Sequence, residues 1–152
     1  MRHTPEQRQS RRLPSLPCAC ATVRRAARAV TRLYDDELRP AGLRATQYTI
    51  LQALSRKGPV TQRRLGIGLG LDSTTLTRTL RPLERQGLIA VVAGQDRRAR
   101  LLKLSPEGKR LLGRSQARWD KAQRRLRQAL GDEQWKQLWT VLDGVAAASQ
   151  QA

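Results

Sequence analysis

Thr61–Ser105, TQRRLGIGLGLDSTTLTRTLRPLERQGLIAVVAGQDRRARLLKLS, is the stretch whose reading decides the fold. Thr61 carries a hydroxyl that can cap the free amides of a helix beginning at Gln62. Leu65 and Leu69 share one face of that helix, and Gly70 suits a left-handed exit. Asp72 or Ser73 then caps a second helix, in which Leu76, Leu80 and Leu83 keep the spacing of a buried stripe. The opposite face carries Ser73, Thr74, Thr77, Arg78 and Arg81. Two short helices about a tight turn, with hydroxyls and guanidiniums facing outward on the second, predict a helix-turn-helix whose second helix reads DNA.

The residues that follow predict a wing. Gly87 ends the second helix, Leu88–Val92 reads as a strand, and Leu101–Leu104 as the returning strand. The tip between them, Gly94–Arg100, holds turn formers with Arg97, Arg98 and Arg100. A basic tip suits the minor groove, where arginine is drawn to the negative potential of narrow A·T-rich segments.

From the recognition segment LDSTTLTRTLRPLERQGLI, Asp96-Arg97-Arg98 in the tip and Leu104-Ser105-Pro106-Glu107-Gly108 after it, the chain resembles the MarR family of winged-helix transcriptional regulators. The resemblance runs from about Cys18 to the C-terminus. It implies that Asp96 braces the wing and that Arg98 enters the minor groove. Two features depart from the best local chemistry. Gly66-Ile67-Gly68 places two weak helix formers in the first helix of the motif, each costing about 1 kcal/mol relative to Ala. Pro82 removes one hydrogen bond from the second.

Working outward, Cys18–Leu38 predicts a long helix with Val23, Ala26, Val30 and Leu38 on its apolar face, ended by Pro40 and Gly42. Gln47–Leu54 predicts a short one. Pro106 opens a helix running to about Leu130, and Gly131-Asp132 separates it from a last helix bearing Trp135, Leu138, Trp139, Leu142 and Val145. The fold class is therefore mainly α with a small β-hairpin wing. Residues 1–17, polar, basic and broken by Pro5, Pro14 and Pro17, are expected to be a flexible arm. Residues 18–152 form a single domain, with dimerisation helices over 18–45 and 106–152 around a winged helix-turn-helix over 46–105. The terminal helices carry more apolar surface than one small winged helix covers. The family resemblance turns this into a homodimer, with two recognition helices set about one DNA turn, ~34 Å, apart on a pseudo-palindromic operator.

Charge points to the same partner. Lys and Arg number 30 against 12 Asp and Glu, a formal net charge of +18, which favours a polyanionic partner, and with the helix-turn-helix and wing that partner is double-stranded DNA. The competing class is a non-specific basic DNA-coating or architectural protein. No enzyme site is legible: His3 is the single histidine and lies in the arm. No cofactor is expected. Cys18, Cys20 and His3 fall short of the roughly four ligands of a zinc site, so no metal is expected either. No apolar run approaches the roughly 20 residues of a membrane span, and no apolar signal core opens the chain, so a cytoplasmic protein without a membrane partner is expected.

A sensor is the remaining question. Cys20–Tyr48 aligns without gaps to the organic-hydroperoxide-sensing branch of the MarR family, which has a reactive cysteine near the start of its first helix. Arg28, Tyr34 and the pair Gln47-Tyr48 match that branch, whereas Arg24 and Ala45 replace two of its tyrosines. A helix N-terminus stabilises a thiolate. Cys20, with Cys18 and Tyr34, is thus a candidate redox sensor, and a small apolar residue packed at a dimer seam is the alternative for Cys20. The family resemblance equally implies a pocket for a small aromatic or phenolic ligand.

Overall fold

The computed structural model describes residues 17–94 and 100–151. The arm up to Leu16 and the tip residues Asp96, Arg97 and Arg98 lie outside that range. The chain divides into two compact units, Met1–Arg32 and Leu33–Ala152. The described part of the first is Pro17, Cys18 and the N-terminal portion of helix α1 (Ala19–Leu38), where Val23 and Val30 are exposed.

The second unit starts in the last turns of α1 and continues through a 3-10 turn (Arg39–Ala41), α2 (Ala45–Lys57), β1 (Val60–Thr61), α3 (Gln62–Leu69), α4 (Ser73–Arg85), β2 (Ile89–Ala93), β3 (Arg100–Leu104), α5 (Pro106–Leu130) and α6 (Asp132–Gln151). The expected mainly helical fold with a β-hairpin is what forms, and α2 extends beyond the expected Gln47–Leu54 at both ends. β2 pairs antiparallel with β3, from Ile89 opposite Leu104 to Ala93 opposite Arg100. The sheet also has a strand that local patterning does not announce. β1 sets Val60 and Thr61 against Leu102 and Leu101, giving the order β1-β3-β2.

Local chemistry sets the helix ends as their residues suggest. The Thr61 hydroxyl accepts from the Arg64 amide at 3.3 Å, and the Asp72 carboxylate accepts from the Thr75 amide at 2.8 Å. Gly70, at φ 61°, turns the chain between α3 and α4 in a conformation that a side chain would strain. Ser105 caps α5 by accepting from the Gly108 amide at 2.9 Å, and its hydroxyl donates to the Gly87 carbonyl at 2.7 Å. The Ser105 amide donates to the Leu88 carbonyl at 3.1 Å, which closes the base of the hairpin. A Cβ on Gly108 would collide with that carbonyl and with Leu104 Cδ1, so only glycine lets α5 start so close to the strand.

One core joins these elements. Leu38, Leu43, Tyr48, Ile50, Leu51, Leu54, Leu65, Leu76, Leu80, Leu83, Leu88, Ile89, Leu102 and Leu112 are all buried in it. Tyr48 stacks on Trp119 of α5 at 6.0 Å, and its hydroxyl donates to Gln116 Oε1 at 2.9 Å. The end of α1 is tied to α5 by charge. Glu37, buried, accepts from Arg125 Nη1 at 2.6 Å and meets Lys121 Nζ at 3.0 Å. Those two cations, Arg125 foremost, hold its carboxyl below the usual range. α6 packs along α5: none of its described residues is buried, and Trp139, Val141, Leu142 and Val145 are exposed.

The Glu37 clamp has a definite pH signature. A carboxyl whose folded pKa is depressed contributes stability that is complete above its unfolded pKa and lost as pH falls through the folded one. Glu37→Gln should therefore melt below the parent chain at neutral pH, and the two melting temperatures should converge on acidification below about pH 4. Thermal melts across that range check it. A gap that does not narrow would mean the clamp acts through packing and not through charge.

Candidate nucleic-acid interface

The interface begins with α4, because its burial is one-sided. Leu76, Leu80 and Leu83 are 0 to 2% exposed and face the core, so Ser73, Thr74, Arg78 and Arg81 are turned outward and exposed, with Thr77 half-buried. These five residues line one shallow concavity of about 370 Å³ with no acidic side chain in it. The helix-capping chemistry leaves that face intact. The Thr75 hydroxyl turns back to Asp72 Oδ2 at 2.6 Å, and the Thr79 hydroxyl to the Thr75 carbonyl at 2.9 Å. The Thr75 hydroxyl and amide together hold the Asp72 carboxyl below its ordinary range. The cap therefore stays ionised, and it sits beside the helix N-terminus where negative charge is favoured.

Pro82 does not break the helix, which runs on to Arg85. It leaves the Arg78 carbonyl without its usual donor four residues on. Thr77 has a partner that helix periodicity does not reveal: Gln62 Nε2, at the start of α3, donates to Thr77 Oγ1 at 2.8 Å. Gly66 of α3 lies against α4, and a Cβ there would stand 3.1 Å from the Leu71 carbonyl oxygen and 3.3 Å from Leu76 Cδ2. The glycine that weakens α3 is what allows α3 and α4 to approach.

Arg100, the described arginine of the wing, opens β3 opposite Ala93 and is exposed. The candidate sensor residues are placed as follows. Cys18 precedes α1 and Cys20 lies in its first turn; both are free and exposed in the single chain. Tyr34 is half-buried, and burial pushes its hydroxyl pKa up. Tyr48, which matches the hydroperoxide-sensing branch, donates its hydroxyl to Gln116, and burial raises its pKa foremost. Among the described residues no cluster of three or more His, Cys, Asp or Glu side chains could hold a metal ion. No helix there is long and apolar enough to cross a membrane.

Known proteins share this geometry. A profile of the MarR family matches residues 43–99, the segment from Leu43 into the wing. The crystal structure of the M. tuberculosis transcriptional regulator MosR is 32% identical, covers 90% of this chain and 98% of its own, and superposes with a TM-score of 0.79.

The chain belongs to the MarR family.

MosR in complex with DNA gives 34% identity over 88% of this chain and 97% of its own, again with a TM-score of 0.79. PcaV of Streptomyces coelicolor, solved with its natural ligand, is 26% identical over 90% of this chain and 99% of its own, at a TM-score of 0.76. In Bacillus subtilis (strain 168), the uncharacterized HTH-type transcriptional regulator YwoH is 31% identical over 88 residues, 58% of this chain. That match spans 64% of the length of YwoH. The MarR family and its fold are those of transcriptional regulators and not of enzymes.

Proposed function

We propose that the chain is a sequence-specific DNA-binding regulator acting as a repressor, which binds a pseudo-palindromic operator as a homodimer. The observation that carries this reading is the outward face of α4, where Ser73, Thr74, Thr77, Arg78 and Arg81 form a concavity free of acid. Arginine donates in a fork that matches guanine O6 and N7, and threonine offers both a hydroxyl and a methyl to a base edge. The DNA-bound structure of MosR supports the same partner. Asp96, Arg97, Arg98 and Arg100 complete the surface in this reading, with Asp96 bracing the wing and Arg98 in the minor groove. Dimerisation is supported by the exposed Trp139, Val141, Leu142 and Val145 of α6, an apolar face without cover in the single chain.

Two routes of release fit the family, a small aromatic or phenolic ligand and thiol oxidation. The ligand route is supported by PcaV, solved with its natural ligand. The thiol route is supported by the exposure of Cys20 in the first turn of α1. There the Cys20 thiol takes the terminal oxygen of an organic hydroperoxide as the O–O bond breaks, becoming a sulfenic acid and releasing the alcohol.

Arg78→Ala should cost about 1–3 kcal/mol on operator DNA, relax preference at one position per half-site, and leave random-sequence binding far less affected. Equilibrium titration of both DNAs decides it, because equal weakening of the two would reduce Arg78 to a phosphate contact. For release, operator affinity is compared before and after mild organic hydroperoxide in the parent chain, Cys18→Ser and Cys20→Ser. The thiol route requires a loss that Cys20→Ser alone abolishes. Unchanged affinity of the oxidised parent leaves the ligand route.

A further inference from the structure

Thr31, Thr49 and Thr79 each turn the side-chain hydroxyl onto the carbonyl four residues back, at 2.8, 3.0 and 2.9 Å. That local outlet is why a helical threonine divides between two χ1 rotamers. The Thr77 hydroxyl is instead bonded across the motif, accepting from Gln62 Nε2 at 2.8 Å. Both ends of this bond are anchored. Gln62 is the first residue of α3, directly after Thr61, which caps that helix and pairs with Leu101 of β3. Thr77 follows Leu76 on a helix whose Leu76, Leu80 and Leu83 are buried. Thr77 belongs to the α4 concavity and is half-buried, whereas Gln62 is exposed and lines none of it.

We propose that Gln62 is a positioning residue for base readout: it holds Thr77 in one rotamer and so sets a preference at a base pair that it does not itself touch. The inference rests on the reading of α4 as the base-reading helix. Threonine carries its hydroxyl and its methyl on the same carbon, and rotation about χ1 exchanges their places. At a base edge that exchange replaces a hydrogen-bonding group with an apolar one. The thymine methyl and the acceptors of a purine call for opposite choices. A threonine free to turn presents both and discriminates weakly. One fixed by Gln62 presents a single pattern before DNA arrives, so less side-chain freedom is lost on binding. A single hydrogen bond between neutral groups shifts a two-rotamer balance by about twofold to tenfold, and the change in base preference is of the same size.

The test takes two readouts on the full-length protein, one of them without DNA. Gln62→Met keeps the length and helix propensity of the side chain but cannot donate a hydrogen bond. Three-bond couplings of the Thr77 methyl to its backbone nitrogen and carbonyl carbon, measured by NMR on the free protein, should report one χ1 rotamer in the parent and an average of two in Gln62→Met. On DNA, affinity is measured for the operator recovered by selection and for duplexes changed one base pair at a time in both half-sites. Thr77→Ala should flatten the preference at one position per half-site. Gln62→Met should weaken the preference at that same position by about threefold, and leave the other positions, random-sequence binding and the melting temperature unchanged. In the Thr77→Ala background it should add nothing.

Rotamer averaging in the parent overturns the proposal, as does a Gln62→Met effect that survives in the Thr77→Ala background. Equal weakening on every sequence overturns it too and makes Gln62 a phosphate contact. A fixed Thr77 rotamer in a parent with no base preference at any position overturns the reading of α4 itself, and the inference with it. The DNA-free couplings therefore tell the two failures apart.

Discussion

Leu76, Leu80 and Leu83 press one face of α4 into the core, and what the opposite face presents follows from that one-sided burial. Each fully buried leucine contributes roughly 1.5–3 kcal/mol, so the orientation of the helix is secured by more than surface contacts can undo. The residues left outside are hydroxyls and guanidiniums, and that surface is available only because no apolar residue interrupts it. α3 is positioned by the same constraint. Its buried Leu65 joins the core, and Gly66 admits α4 to a distance that any Cβ would contest.

The second unit is tied together at two further places, both on α5. At the base of the hairpin, Ser105 bonds to Gly87, Leu88 and Gly108, so the start of α5 and the root of the wing move as one body. Further along, Tyr48 stacks on Trp119 and bonds to Gln116, while Glu37 holds Arg125 and Lys121. α5 is thus in register with α2 and the end of α1 on one side and with the wing on the other.

Much of this was legible because it is encoded over a few residues. The caps at Thr61 and Asp72, the turn at Gly70, the leucine stripe of α4 and the limits of α5 all depend on neighbours within one or two helical turns. What local reasoning could not find depends on distant partners. β1 is two residues long and exists because Leu101 and Leu102 come alongside it. Glu37 looks like a solvated charge until Arg125, 88 residues on, meets it. Gln62 gives no sign of its bond to Thr77, and Gly66 reads as a helix weakness until α4 is seen against it. Pro82 lies within α4, and the helix runs on through it to Arg85. The roles of Asp96 and Arg98 remain those that family resemblance implies.

The central claim is that two copies of α4, held by their leucines, read a symmetric DNA site. Selection of bound sequences from a random duplex library by the full-length protein tests it most directly. The account predicts an enriched inverted repeat whose half-sites are centred about 10 base pairs, one helical turn, apart. Recovery of no consensus, with affinity following salt alone, would contradict it and describe a basic DNA-coating protein instead.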